Sequence, residues 1–413
     1  MNRAAMYAVT FLAAFLSATP SPAAERDDGQ GEEPGFEMTL GARQVYDDNL
    51  YRLPEIIDPQ QSLVSGASRD DYVRRVSLGI EQSWHWSRQK VLIDLLAVDS
   101  SYQRNDQLDN RSGRGRAEWD WQAASAWSGT FGADYGRSLA NFANTRYLGR
   151  DMIETTGTFA NLGFRLGPSW SLRAAARRAT TEHSAELRRF DNSVTESVTG
   201  GLRYKTRSET QIGLSLRSTR ARFESPLNLS GQLFDRDYED ESINLELERV
   251  VSPRTRIEGS IGVLRRGYDD NSLTESGKGS FEGPVGDVML QWQASNKIAI
   301  DTNGWRRLRA YLDAESDYFV SEGVSIAPKW KPTHKLEVAL ELGIETQDYL
   351  GAGINLPRER RSDEVSSGEL TLSYRPLRKL RFDLTGRVEQ RGSNRPLVEY
   401  DSLVASFGVR WSY

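Results

Sequence analysis

Apolar residues occupy every second position over much of this chain. In "KLEVALELGIE" (335–345), Leu336, Val338, Leu340, Leu342 and Ile344 form one row, and Glu337, Ala339, Glu341, Gly343 and Glu345 form the other. "KLRFDLTGRVEQ" (379–390) sets Leu380, Phe382, Leu384, Gly386 and Val388 against Arg381, Asp383, Thr385, Arg387 and Glu389. "GRGRAEWDWQA" (113–123) sets Ala117, Trp119, Trp121 and Ala123 against Arg114, Arg116, Glu118, Asp120 and Gln122. The final stretch, "DSLVASFGVRWSY" (401–413), puts Leu403, Ala405, Phe407, Val409, Trp411 and Tyr413 on one face. A period of two makes a strand whose faces meet two different environments. Soluble half-buried sheets show this once or twice. Here it recurs in nearly every segment, and each run is long enough for the ~9–11 residues of a membrane strand.

Short breaker clusters separate the runs. They are "WHWSRQK" (84–90), "ASAWSG" (124–129), "LGPSWS" (166–171), "YKTRSE" (204–209), "VVSPRT" (250–255), "QASNK" (293–297), "WKPTHK" (330–335) and "YRPLRK" (374–379). Each has the length of a tight hairpin turn, and they repeat about every 40 residues. Longer polar connections alternate with them, such as 47–70, 224–237, 267–280 and 350–363. The count predicts an all-β, antiparallel up-and-down transmembrane barrel of about 18 strands (16–18), an even number. Both termini fall on the short-turn side, which is the periplasm in an outer-membrane barrel. Trp84, Trp86, Trp127, Trp170, Trp292, Trp330 and Tyr374 cluster beside the short turns, where an interfacial aromatic girdle belongs. A propeller has a similar period but needs four short strands per repeat, whereas two long ones occur here.

Composition fits that barrel. A mean hydropathy of −0.59 is low for an exported protein, but a membrane barrel turns only half of each strand to lipid. Aromatic content of 10% argues against disorder. A net charge of −5 gives no sign of nucleic-acid binding. The N-terminus carries an apolar run, Ala8 to Ala18, followed by Ser21-Pro22-Ala23, which reads as a secretory signal peptide. The expected organisation is a signal peptide over 1–24, a flexible polar linker over 25–35 and the barrel over 36–413.

Candidate chemistry is sparse. The chain has no cysteine and 3 histidines. His85 and His334 fall in the expected short turns and His183 near a long loop, so all three read as solvated. Glu182, His183 and Ser184 are sequence neighbours on a strand and cannot converge as a triad. Asp47-Asp48-Asn49 and Asp269-Asp270-Asn271 have oxygen ligands suited to calcium, yet read more simply as solvated turns. No cofactor and no catalytic or metal site is expected. What remains is the polar row: Arg114, Arg116, Glu118, Asp120, Glu246, Glu248, Glu337, Glu341, Glu345, Arg381, Asp383, Arg387 and Glu389 are expected to face the lumen. They would either brace the wall or serve passage of a hydrated solute.

"YDDNLYRLPE" (46–55), "YQRNDQLDNRSGRGRAEWDW" (102–121), "SGTFGADYGRSLANFANT" (128–145) and "FRLGPSWSLRAAARR" (164–178) carry a family resemblance. The chain resembles the EpsL-type outer-membrane proteins of exosortase-associated exopolysaccharide biosynthesis. That resemblance implies a barrel in the Gram-negative outer membrane that helps move a polysaccharide outward. It implies periplasmic polysaccharide-export proteins as partners, and it assigns no catalytic residues. Outer-membrane lipid and the barrel-assembly machinery are further expected partners, the latter reading the terminal row Phe407, Val409, Trp411 and Tyr413. A general diffusion porin or a loop-mediated adhesion barrel is the alternative function.

Overall fold

The computed structural model describes residues 35–58, 67–145, 147–225, 227–229, 232–234, 236–268, 280–313, 316–350 and 360–413. The expected signal peptide and nearly all of the expected linker lie outside them. The first strands are β1 (Phe36–Asp47), β2 (Asp71–Trp86), β3 (Gln89–Tyr102), β4 (Asn110–Ala123), β5 (Trp127–Leu139) and β6 (Met152–Arg165). Then come β7 (Trp170–His183), β8 (Ser193–Lys205), β9 (Gln211–Phe223), and a small hairpin of β10 (Leu227–Leu229) and β11 (Gln232–Phe234). The chain continues through β12 (Tyr238–Ser252), β13 (Thr255–Tyr268), β14 (Phe281–Ser295), β15 (Ile298–Asp313) and β16 (Ser316–Trp330). It ends with β17 (Leu336–Leu350), β18 (Ser362–Leu377), β19 (Leu380–Ser393) and β20 (Tyr400–Ser412).

Apart from the β10–β11 hairpin, the described strands form one sheet of 18, each antiparallel to its neighbours in sequence. The sheet closes where β1 pairs with β20, in a register running from Thr39 opposite Ser412 to Asp47 opposite Val404. Met38 and Tyr413 exchange two backbone hydrogen bonds, of 3.2 and 2.8 Å, at the end of that seam. Closure is what lipid demands, because an unpaired backbone N–H or C=O has no water to turn to. No helix among the described residues is long and apolar enough to cross a membrane.

All eight breaker clusters fall at junctions between consecutive strands, and four of them, including that between Trp86 and Gln89, leave only two residues between the strands. Between Trp86 and Gln89, Ser87 adopts φ 56°, the left-handed conformation favoured in two-residue hairpins. The other end carries the long connections, with one exception. β15 and β16 are separated by two residues, and Asp313 pairs with Ser316. The alternation of long and short connections therefore breaks once, at a hairpin that extends its ladder instead of ending it.

The outward row is apolar over only part of each strand. On β5 it runs Trp127, Gly129, Phe131, Ala133 and Tyr135, then reaches Arg137, which pairs with Glu154 on β6. Eight residue steps rise ~26 Å along a strand, and a 35–45° tilt reduces this to ~20 Å across the membrane. Above that height the exterior carries charge in cross-strand pairs: Arg111 with Asp99, Arg178 with Glu196, Arg220 with Glu239, and Arg306 with Glu322. The barrel wall thus has an aromatic rim at the short-turn end, an apolar band, and a belt of ion pairs toward the long connections.

Candidate functional site

The bore is lined by the row opposite the exposed apolar one. Every sequence-predicted polar residue has the parity of this inner row. On β4, Arg114 approaches Asp94 at 3.5 Å, and Arg116 binds Glu118 at 2.7 Å while lying over the Phe159 ring. Asp120 accepts from the Thr130 hydroxyl at 2.6 Å. Glu246 and Glu248, like charges on β12, are bridged by Arg203 at 3.3 and 3.4 Å, and Arg256 adds a contact to Glu248 at 2.9 Å. On β17, Glu337 lies 3.7 Å from Lys331, Glu341 faces Glu369 across the strands, and Glu345 accepts from Ser321 at 2.9 Å. On β19, Arg381 binds Asp383 at 2.7 Å and Arg387 binds Glu389 at 2.5 Å. Ser373 and Tyr400 complete the two carboxylates, each at 2.6 Å. Of the terminal row, Phe407 and Tyr413 are exposed on the outer face, with Val409 and Trp411 half-buried between them.

Three connections fold over the long-connection mouth. Tyr51, which follows β1, packs against Phe142 at 4.9 Å between tilted rings, and its hydroxyl donates to Asn105 Oδ1 at 3.0 Å. Val45, Ala67, Val73, Tyr102, Leu108 and Leu148 pack with them into the largest buried apolar cluster of the described residues. Burial pushes the Tyr51 phenol up to about 12. Asp71, fully buried, anchors the cluster by accepting from the backbone of Gln103, Arg104 and Asn105 and from the Asn105 side chain. Arg52 binds Asp47 at 2.8 Å. Burial works against the Arg52 charge, but Asp47 outweighs it and holds the guanidinium protonated. Arg391, on the inner face of β19, donates to the Ala143 carbonyl at 2.5 Å. Going round the wall from β19 to β5 crosses six strand spacings, or ~29 Å at ~4.8 Å each. The 140–151 connection therefore leaves the wall and reaches into the bore.

Two expectations about histidine need correction. His183 is buried at 8% exposure rather than solvated, because Asp151 reaches back from the preceding connection to its Nδ1 at 2.7 Å. His85 lies within β2, opposite Lys90, and not in the turn; His334 is exposed as expected. At the first acidic triplet, Asp47 is engaged by Arg52 and the Asn49 amide, and Asp48 accepts from the Leu403 amide at 2.7 Å. No group of three or more metal-ligating side chains occurs among the described residues. Asp269-Asp270-Asn271 lies outside them. Sequence reasoning missed Arg43, Arg75 and Arg410, which share the inner parity; period two alone would have placed each of them on the wall.

A closed barrel with an apolar exterior band and a charged bore defines a porin-like channel of the outer membrane. The sequence profile of the Putative beta-barrel porin 2 family matches residues 56–413, and the chain belongs to that family. None of the curated proteins matches it. Among solved structures, Pseudomonas aeruginosa OccK2 (OpdF) in complex with glucuronate is similar at 10% identity, covering 91% of this chain and 98% of that one with a TM-score of 0.50. A BenF-like porin from Pseudomonas fluorescens Pf-5 (10% identity, 92% and 99% covered, TM-score 0.49) and OpdK of P. aeruginosa (12%, 92% and 99%, 0.48) are also similar. At such identities the likeness concerns the fold alone.

Proposed function

We propose that this chain is an outer-membrane channel for a saccharide and assists exopolysaccharide export. The observation that carries this reading is the bore itself, a wall of charged and hydroxyl side chains narrowed by connections that reach across its mouth. Such a wall offers hydrogen bonds to a polyhydroxylated chain at every level. The resemblance carried by "YDDNLYRLPE" points the same way, and four of its residues, Asp47, Asn49, Tyr51 and Arg52, build the narrowed mouth. The test is a deletion strain. Surface polymer should fall and polymer or its lipid-linked precursor should accumulate behind the outer membrane; unchanged surface polymer overturns the export role.

A second reading, a general diffusion porin, is favoured by the self-compensation of the wall. Arg177 with Asp134, Arg203 with Glu246 and Glu248, and Arg381 with Asp383 satisfy one another, as bracing of a water-filled bore requires. Loss of small-solute uptake with intact surface polymer in the same strain supports it.

A further inference from the structure

One sector of the bore is not self-compensated. Across β20, β1 and β2, Arg410, Arg43 and Arg75 share the inner face within two register steps. Arg43 stands directly opposite Arg75, and Arg381 directly opposite Arg410. Like charges at directly opposed positions destabilise a sheet, so two such pairs side by side are a cost that bracing does not explain. Elsewhere on this wall Arg116, Arg177, Arg203 and Arg256 bind carboxylates. Here Arg43, Arg75 and Arg410 have no carboxylate within ion-pairing distance among the described residues. The charges facing Arg43 are Asp383, Arg75, Glu369 and Arg381, and those facing Arg410 are Asp383, Arg381, Arg43 and Arg375. Asp383, the carboxylate that faces both Arg43 and Arg410, is already occupied by Arg381 at 2.7 Å and by the Ser373 hydroxyl at 2.6 Å.

The wall is closely packed at this place, with glycines where a side chain would crowd its neighbours. Gly408 sits in register between Asp383 and Arg43, and a Cβ there would come within 3.2 Å of Arg43 Nε. Gly41 sits opposite Arg410, and a Cβ there would meet the Ser77 hydroxyl at 2.5 Å. Arg43, Arg75 and Arg410 are half-buried on the inner face. Guanidinium groups bind carboxylates through paired N–H donors.

We propose that Arg43, Arg75 and Arg410 form an anion-binding site that takes the carboxylate of an acidic saccharide during passage. This rests on the saccharide-channel reading and names its substrate class. The site then holds the chain by a charged group on the sugar, while the compensated remainder of the wall meets its hydroxyls.

The test uses purified full-length barrel in planar bilayers, with tri-galacturonate as the acidic probe and maltotriose as the neutral one. Wild type should show current interruptions with tri-galacturonate and not with maltotriose. In R43Q/R410Q the interruptions should shorten about tenfold, as loss of charge-assisted contacts predicts. The control R178Q, on the exterior, should behave as wild type. Equal interruptions in R43Q/R410Q and wild type, or equal effects of the two probes, overturn the site. A variant that changes only chloride selectivity shows a site for small inorganic anions and overturns the saccharide class. If wild type carries no current, the channel reading fails by itself. Titration calorimetry on the detergent-solubilised barrel then decides the site: binding of tri-galacturonate lost in R43Q/R410Q supports it, and no binding by wild type overturns it. Heat-modifiable gel mobility confirms that the variant is a closed barrel.

Discussion

Arg391 and Ala143 lie 248 residues apart in sequence and on strands and connections a third of the circumference apart, yet they share a 2.5 Å hydrogen bond. That contact ties the 140–151 connection to the far wall. A hydrogen bond to a charged group contributes ~1.5–3 kcal/mol net, and more is lost when a buried partner stays behind. Arg391→Ala should therefore release the connection and raise single-channel conductance, with more frequent sublevels. Conductance identical to wild type would show that the connection holds its place without this tie.

A second tie is sensitive to acid. Asp151 accepts from His183 Nδ1 at 2.7 Å and from the Ala185 amide at 3.1 Å. Burial alone would raise the Asp151 carboxyl, but the His183 hydrogen bond, the Ala185 amide and the charge of Arg188 bring it below the ordinary carboxylate range. A carboxyl depressed in the folded state contributes stability that is present above its unfolded value and lost as pH falls through the folded one. Protection of the Ala185 amide, measured against its intrinsic exchange rate, should thus be full at neutral pH and fall once the pH drops below the ordinary carboxylate value. Asp151→Ala should bring fast exchange to pH 7, equivalent to ~1–3 kcal/mol of local stability. A slow Ala185 amide in that variant would remove Asp151 from the latch.

Tyr413 closes the seam twice, through backbone bonds to Met38 and through its place at the end of the lipid-facing row. Deleting it removes the two backbone hydrogen bonds that end the seam. Tyr413→Asp keeps the backbone and puts a charge at the interface, which costs only ~0–1 kcal/mol there. Deletion should therefore cut the amount of heat-modifiable barrel in outer-membrane fractions through seam loss. Tyr413→Asp should cut it only if the assembly machinery reads the aromatic side chain. Normal levels of both variants would make the terminal residue incidental.

The repeating parts of this barrel were legible because each face of each strand meets one environment. Leu336 to Ile344 read outward and Glu337 to Glu345 read inward from period two alone. The turns were legible because Pro253, Pro376 and their neighbours interrupt that period locally. What was not legible depends on contacts between distant segments. His183 looks solvated until Asp151 is placed beside it, and Glu246 beside Glu248 looks repulsive until Arg203 arrives from β8. Arg43 and Arg410 become neighbours only when the first and last strands of the barrel pair. The tight β15–β16 hairpin was hidden because the strands on both sides simply continue.

The two ends of the wall differ, and that difference predicts which end faces the medium. Trp127 packs against Phe164 and Trp170 against Tyr204 beside the short turns, forming an aromatic rim. The opposite end carries the exterior ion pairs of Arg178 with Glu196 and Arg220 with Glu239, which suits a charged, hydrated surface layer. Long connections of outer-membrane barrels face outward and short turns face the periplasm. Because the chain has no cysteine, single cysteines report sidedness without background from the protein itself. Ile56 and Leu187, exposed at 75% and 72% on long connections, and Arg254, exposed in a short turn, are suitable positions. Ile56→Cys and Leu187→Cys should react with a membrane-impermeant maleimide on intact cells, and Arg254→Cys only after the outer membrane is opened. Labelling in the reverse order would turn the barrel over, placing the Arg391–Ala143 tie and the narrowed mouth at the periplasmic entrance.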